Sequence, residues 1–239
     1  MDVLRLDEVS FAYGALCVTN KISLTLPKGQ ALGVIGPNGA GKSTLLDLIT
    51  GTKRVASGRV YFMGQDITAA SPQARSDMGI ARSFQIPRPF LGMTVYENVL
   101  VGATHGGRRA EAPAQRVALR VLEQTGLMAR ANEPASKLRL LDRKRLELAR
   151  ALATEPKLLL LDEVAGGLSD MECQSFIALL KEIRDGGTTM IWIEHIVHAL
   201  IAVVSQLFVL DQGARIAQGQ PTQVLADPEV RRVYLGIPA

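Results

Sequence analysis

The chain has 239 residues, of which 47% are hydrophobic and 21% charged, a globular composition that excludes the disordered and fibrous classes. The formal charge of +4 is mild, and the densest basic clusters, Arg108–Arg109 and Arg143–Lys144–Arg145, are short enough to be solvated faces, so nucleic acid is not expected as a partner. Cys17 and Cys173 lie far apart in no metal-ligand spacing, which points to reduced thiols in a reducing compartment.

The N-terminus has neither a basic nor an apolar leader region, so secretion is not expected. Leu4, Leu6 and Val9, then Ile22, Leu24 and Leu26, alternate with polar residues at the period of half-buried antiparallel strands. Ala31–Ile35 is a continuous apolar run, the mark of a strand covered on both faces. A glycine-rich turn follows it, then a helical pattern over Lys42–Ile49. Arg59–Phe62 reads as a further strand ended by Gly64. From about Thr94 to Arg150 the pattern is helical.

Leu158–Leu161 and Thr189–Ile193 are two more buried strands, followed by predicted helices over Met171–Arg184 and His195–Val204. Such alternation implies a parallel sheet with helices on its faces. Leu207–Leu210 and Ala214–Ala217 flank Asp211-Gln212-Gly213, a hairpin signal. The most apolar stretch, Ile196–Leu210, is interrupted by His198, Ser205 and Gln206, and is shorter than the roughly 20 residues a spanning helix needs. A cytoplasmic protein is expected, one that serves a membrane only by docking to something embedded there.

Gly36-Pro37-Asn38-Gly39-Ala40-Gly41-Lys42-Ser43-Thr44 fits G-x-x-x-x-G-K-[ST] between a buried strand and a helix, the context in which that pattern has meaning. Glycines let the backbone curl so that successive N–H groups face anionic oxygens, and the helix start adds its dipole. Lys42 brings a full charge to the outer phosphates of ATP, and the Ser43 hydroxyl suits Mg²⁺. Leu158–Leu161 ends in Asp162-Glu163. A strand end is expected to set Asp162 beside the phosphate loop of the neighbouring strand, holding Mg²⁺ through water, while Glu163 polarises the attacking water. An acidic turn after a strand is common in isolation; the phosphate loop gives this one its meaning.

Ile193-Glu194-His195 ends another buried strand, and His195 could reach the γ-phosphate region, although a histidine opening a helix is more often structural. Gln85 follows the strand-like Ala81–Phe84 and could sense Mg²⁺ and the attacking water. Tyr13 could stack on adenine; packing within the β extension is the alternative.

In this order and spacing, the chain resembles the ATP-binding subunits of ABC transporters over nearly its whole length. The resemblance implies a P-loop NTPase core, α/β with a mainly parallel sheet, an N-terminal antiparallel β subdomain and a helical insert. Within one ATPase domain spanning 1–239, residues 1–85 and 155–239 would form the core, and 86–154 the helical subdomain that carries the family's signature. Gly36–Thr44 looks like Walker A, Gln85 like the Q-loop glutamine, Leu158–Asp162 like Walker B with Glu163 as the base, and His195 like the switch histidine. Gly166–Ser169 falls where the D-loop should be.

More narrowly, Gly79–Gln85, Met93–Val99 and the ending from Gly219 to Gly236 look like the branched-chain amino acid uptake group. That implies a second ATP-binding subunit in a heterodimer (a homodimer in isolation is the alternative), two membrane permeases, and indirectly an extracytoplasmic binding protein. The chain would sit peripherally on the inner face of the membrane. A soluble ABC-type ATPase with a non-transport role and a nucleotide-gated scaffold with little hydrolysis are the rival readings.

One departure matters. The signature, usually close to L-S-G-G-Q, is expected just before a helix over Lys144–Leu152, where this chain has Leu138-Arg139-Leu140-Leu141-Asp142. The serine and both glycines are missing, and leucines add bulk where the family's backbone approaches a phosphate on the other subunit. Arg139 could replace the lost contact by charge but not by geometry. One weak site in a heterodimer is the expectation.

Overall fold

The computed structural model describes residues 1–235, so Gly236, the last residue of the C-terminal pattern above, lies outside the described residues. Strands β1 (Asp2–Tyr13) and β2 (Leu16–Pro27) form an antiparallel hairpin in which Leu4, Leu6 and Val9 face Leu26, Leu24 and Ile22. All six are buried, as their alternation requires. With β4 (Ser57–Phe62) and β5 (Gln65–Asp66) they make a four-stranded sheet in the order β2-β1-β4-β5.

The second sheet contains β3 (Ala31–Ile35), β6 (Ile80–Ser83), β7 (Leu158–Asp162), β8 (Thr189–Ile193), β9 (Gln206–Asp211) and β10 (Ala214–Gly219), in the order β10-β9-β3-β8-β7-β6. Only the β9–β10 pair is antiparallel. The strand carrying Asp162 is therefore not the neighbour of the strand that enters the phosphate loop: β8 lies between them. Both edges of β8 are paired along its length, so β3 and β7 reach the same end of the sheet one strand apart.

Nine α-helices surround the sheets: α1 (Lys42–Thr50), α2 (Pro72–Met78), α3 (Val95–Val101), α4 (Glu111–Gln124), α5 (Leu140–Leu152), α6 (Asp170–Asp185), α7 (Val197–Ile201), α8 (Pro221–Ala226) and α9 (Pro228–Val230), all within the described residues. Leu159 and Leu161 of β7 and Met190 and Trp192 of β8 pack against the helical side, with Val95, Val121, Leu146 and Phe176. Their alternates, Leu158, Leu160, Ile191 and Ile193, pack against α1 and the hairpin sheet, with Leu4, Leu6, Leu45 and Leu48. Coverage of both faces is why these strands read as unbroken apolar runs.

Two helix boundaries differ from expectation. The helix after β8 starts at Val197, leaving His195 and Ile196 in the preceding connection. Helix α5 starts at Leu140, so Leu140–Asp142 form its first turn. Leucine is a strong helix former, and Leu140 and Leu141 carry the helix back to this point. Capping boxes open α3, with Thr94 and Glu97, and α6, with Ser169 and Glu172, each satisfying backbone N–H groups that a helix start leaves free. At the far end of α1, the buried Arg75 guanidinium donates to the carbonyls of Leu48, Ile49, Thr68 and Ala70.

Candidate functional site

The turn from β3 into α1 is dictated by close approaches that no side chain could survive. Gly36 has φ +153°, and a Cβ there would stand 2.0 Å from the Leu210 carbonyl oxygen; at Gly41, φ +100°, it would stand 2.5 Å from that of Val18. These two glycines wedge the loop between β9 and β2. Gly41 is the N-cap of α1 and no side chain caps the helix, so its first N–H groups are left to an anion.

Asn38, Gly39, Gly41, Lys42, Ser43 and Thr44 line a cleft of about 280 Å³ with Val18 and Glu163. Gly36 and Ala40 stand behind it, Ala40 buried in the core beneath. The Lys42 ammonium donates to the carbonyls of Gly36 (2.8 Å) and Pro37 (2.9 Å), which leaves a third N–H for a ligand. Burial pulls its pKa below the usual lysine range, with Glu163 and Asp162 opposing that shift.

Glu163 sits in left-handed backbone, φ +48°, directly after β7. Its N–H continues the sheet ladder to the Ile193 carbonyl at 2.8 Å. The carboxylate is held from both sides: Gln85 Nε2 donates to Oε2 at 2.5 Å, and His195 Nε2 lies 2.8 Å from Oε1. The structure thus brings together three of the residues singled out above, from three different connections, at the mouth of the phosphate cleft.

Asp162 is only 7% exposed and is engaged elsewhere. Arg82 of β6 pairs with it (NH2 to Oδ2, 2.6 Å) and with Asp47 of α1 (NH1 to Oδ1, 2.6 Å). Burial would raise the Asp47 carboxyl, but hydrogen bonds from Lys53 and Arg82 outweigh it and hold the group below its ordinary range. Lys53 also stands 5.8 Å over the ring of Tyr13, which is 53% exposed and edge-on to Phe11. A line of charges therefore runs from Tyr13 through Lys53, Asp47 and Arg82 to Asp162.

Arg82 was not picked out from the sequence. The available signal was a cation inside a strand whose other residues are apolar or small. Removing it leaves the nearly buried Asp162 without its cation and Asp47 with Lys53 alone. Arg82→Met is expected to cost about 3 kcal/mol of stability, read as a lower urea midpoint with unchanged slope; an unaltered midpoint would show that Arg82 is no strut.

The ABC transporter family model matches residues 19–166, and the chain is 34% identical to the high-affinity branched-chain amino acid transport ATP-binding protein LivG of Escherichia coli, over 98% of each. The chain belongs to the ABC transporter family. BraF of Pseudomonas aeruginosa, with the same description, is 32% identical over 98% of each chain. A solved ATP-binding cassette of an ABC transporter in its ADP conformation superposes with a TM-score of 0.89 at 31% identity, covering 99% of this chain and 100% of that one. The model of the branched-chain amino acid ATP-binding cassette transporters matches residues 214–239.

The fold is thus that of an ABC ATPase, a nucleotide-binding P-loop NTPase. No helix among the described residues is long and apolar enough to cross a membrane. In the segment Leu138–Asp142, Leu138 is buried, Arg139 caps α5 without a side-chain cap bond, and Asp142 pairs with Arg130 at 3.3 Å. Leu140 is 44% exposed, and its Cδ2 lies 3.4 Å from where a Cβ on Gly167 would be.

Proposed function

We propose that this chain hydrolyses ATP to power an importer of branched-chain or related amino acids, from the cytoplasmic face of the membrane. The observation that carries the hydrolytic reading is Glu163, bracketed by Gln85 and His195 at the mouth of the phosphate cleft. The substrate class rests on the names of relatives that match end to end and on the C-terminal family match.

In this reading Lys42 and the loop N–H groups of 38–44 grip the β- and γ-phosphates, and Tyr13 takes the adenine on its exposed face. Glu163 accepts the proton of the water whose oxygen attacks the γ-phosphorus as the bond to the β-phosphate oxygen breaks. His195 and Gln85 orient that carboxylate. The donor set suits magnesium, which takes hydroxyl, carboxylate and phosphate oxygens: Ser43 would hold it directly, Asp162 would reach it through water from the oxygen not paired with Arg82, with Gln85 beside them, and it would neutralise charge on the phosphates.

Two permeases, a second ATP-binding subunit and, through them, an extracytoplasmic binding protein complete the assembly. Phe84, Ile86, Phe90, Leu91 and Met93, all exposed, flank Gln85 and make its connection the permease contact, so that the helical subdomain of 86–154 passes on the closing of the dimer. Contacts to the γ-phosphate favour the closed state, and their loss on hydrolysis reopens it.

Leucines at 140 and 141 in place of signature glycines support an asymmetric heterodimer, in which this chain's own nucleotide meets the partner's signature and the partner's nucleotide is poorly capped. In the assembled complex, single-turnover hydrolysis is expected to be biphasic; two equally fast sites sink the asymmetry. The tagged chain should copurify with polytopic membrane proteins, and purification without any overturns the transporter reading in favour of a non-transport ATPase.

A further inference from the structure

Glu194 is a carboxylate the mechanism has not used, and at 1% exposure it is among the most deeply buried charged groups of the molecule. Burying a carboxylate is costly unless its oxygens are satisfied. Here all the recorded partners are backbone N–H groups of two connections. Oε2 accepts from Ala165 at 3.0 Å, two residues beyond Glu163. Oε1 accepts from His195 at 2.9 Å and from Ile196 at 3.5 Å.

The placement follows from the sheet. The β7–β8 ladder ends at Asp162 opposite Ile193, and one more rung joins the Glu163 N–H to the Ile193 carbonyl. Beyond it the two chains diverge, one toward Ala165 and the other toward α7. The Glu194 side chain spans that gap as a substitute rung. It also takes up the N–H groups of His195 and Ile196 ahead of α7, in keeping with the helix starting only at Val197. Only a carboxylate can do this on both sides, since glutamine has one accepting oxygen and a donor where the other acceptor must be.

Two further elements approach the same corner. Lys144 of α5, 5% exposed, has its pKa lowered by burial, with Glu194 and then Glu163 opposing the shift. The Tyr234 hydroxyl reaches the His195 carbonyl at 3.5 Å.

We propose that Glu194 is a positioning residue for hydrolysis: its carboxylate ties the connection after Glu163 to the one carrying His195, so that base and histidine are held as a unit. The idea rests on the role given to Glu163 above, and deepens it. Misplacing a reacting group by about 1 Å can cost on the order of 100-fold in rate.

The test compares Glu194→Gln and Glu194→Ala with the wild-type chain, in steady-state ATP hydrolysis, in nucleotide binding, and in amide hydrogen exchange at Ala165, His195 and Ile196. For Glu194→Ala the expectation is a kcat loss of about 100-fold with KM unchanged, and faster exchange on both connections. Glu194→Gln should free one connection and not the other, with a smaller loss of kcat. Glu194→Ala turning over at the wild-type rate overturns the proposal, as does exchange that quickens evenly through the molecule, which would mark a merely structural role. Should Glu194→Ala fail to fold, the isosteric Glu194→Gln decides by the same readouts. The exchange pattern does not depend on turnover, and Glu163→Gln assayed in parallel tells failure of this proposal from failure of the base assignment.

Discussion

Glu163→Gln is expected to cut ATP turnover by about 10²- to 10⁴-fold, the range general-base catalysis supplies, while nucleotide binding stays at the wild-type level. The substitution is isosteric and removes one capacity, that of taking a proton. Gln85 Nε2 can still donate to the remaining side-chain oxygen, and the new amide can donate to a neutral His195 ring nitrogen, so the bracket around residue 163 keeps its shape. In the proposed function the grip on the phosphates is made by Lys42 and the loop, separate residues lining the same cleft. An interaction needed only as the water attacks lowers kcat and kcat/KM together and leaves KM alone. Phosphate release and nucleotide affinity measured on one preparation separate the cases. Wild-type turnover would mean that Glu163 is not the base, whatever its hydrogen bonds.

The parts legible in the sequence are those settled over a few residues. Gly36 and Gly41 are demanded by carbonyls of Leu210 and Val18 pressed against them, and a close approach of that kind admits no other residue. Unbroken apolar runs announced β3, β7 and β8. Their order did not emerge, because an apolar run says that a strand is covered and nothing about which strand pairs with it; so β8 came to lie between β3 and β7, contrary to the reading that made those two neighbours.

Helix starts differ from the expectation where side chains shift the local balance. His195 and Ile196 give their N–H groups to Glu194 instead of opening α7. Helix α5 begins at Leu140, four residues ahead of the expected Lys144, because leucine is a strong helix former and Leu140 and Leu141 extend the helix backwards. Arg82 was invisible for a related reason. The reach of a guanidinium across two elements to Asp47 and Asp162 is a tertiary fact, and no spacing in the chain encodes it.

Lys42→Ala should weaken nucleotide binding by about 3 kcal/mol, roughly 100-fold in dissociation constant, the upper range for hydrogen bonds to a charged group. The loop itself should survive. Its shape is set by Gly36 and Gly41 against their neighbouring carbonyls, and the ammonium is already disfavoured by burial, so its removal relieves a desolvation cost as it ends the bonds to Gly36 and Pro37. Lys42→Arg is not expected to rescue, since a planar fork replaces a compact charge in a narrow buried slot; Lys42 is only 6% exposed. Calorimetric titration with nucleotide, on protein whose unfolding transition is intact, reads the difference. If Lys42→Ala binds as tightly as the wild type, the cleft is not where the phosphates lie, and the argument from Glu163 loses its substrate. If it binds weakly while Glu163→Gln binds normally and fails to turn over, grip and proton transfer belong to separate residues of one cleft.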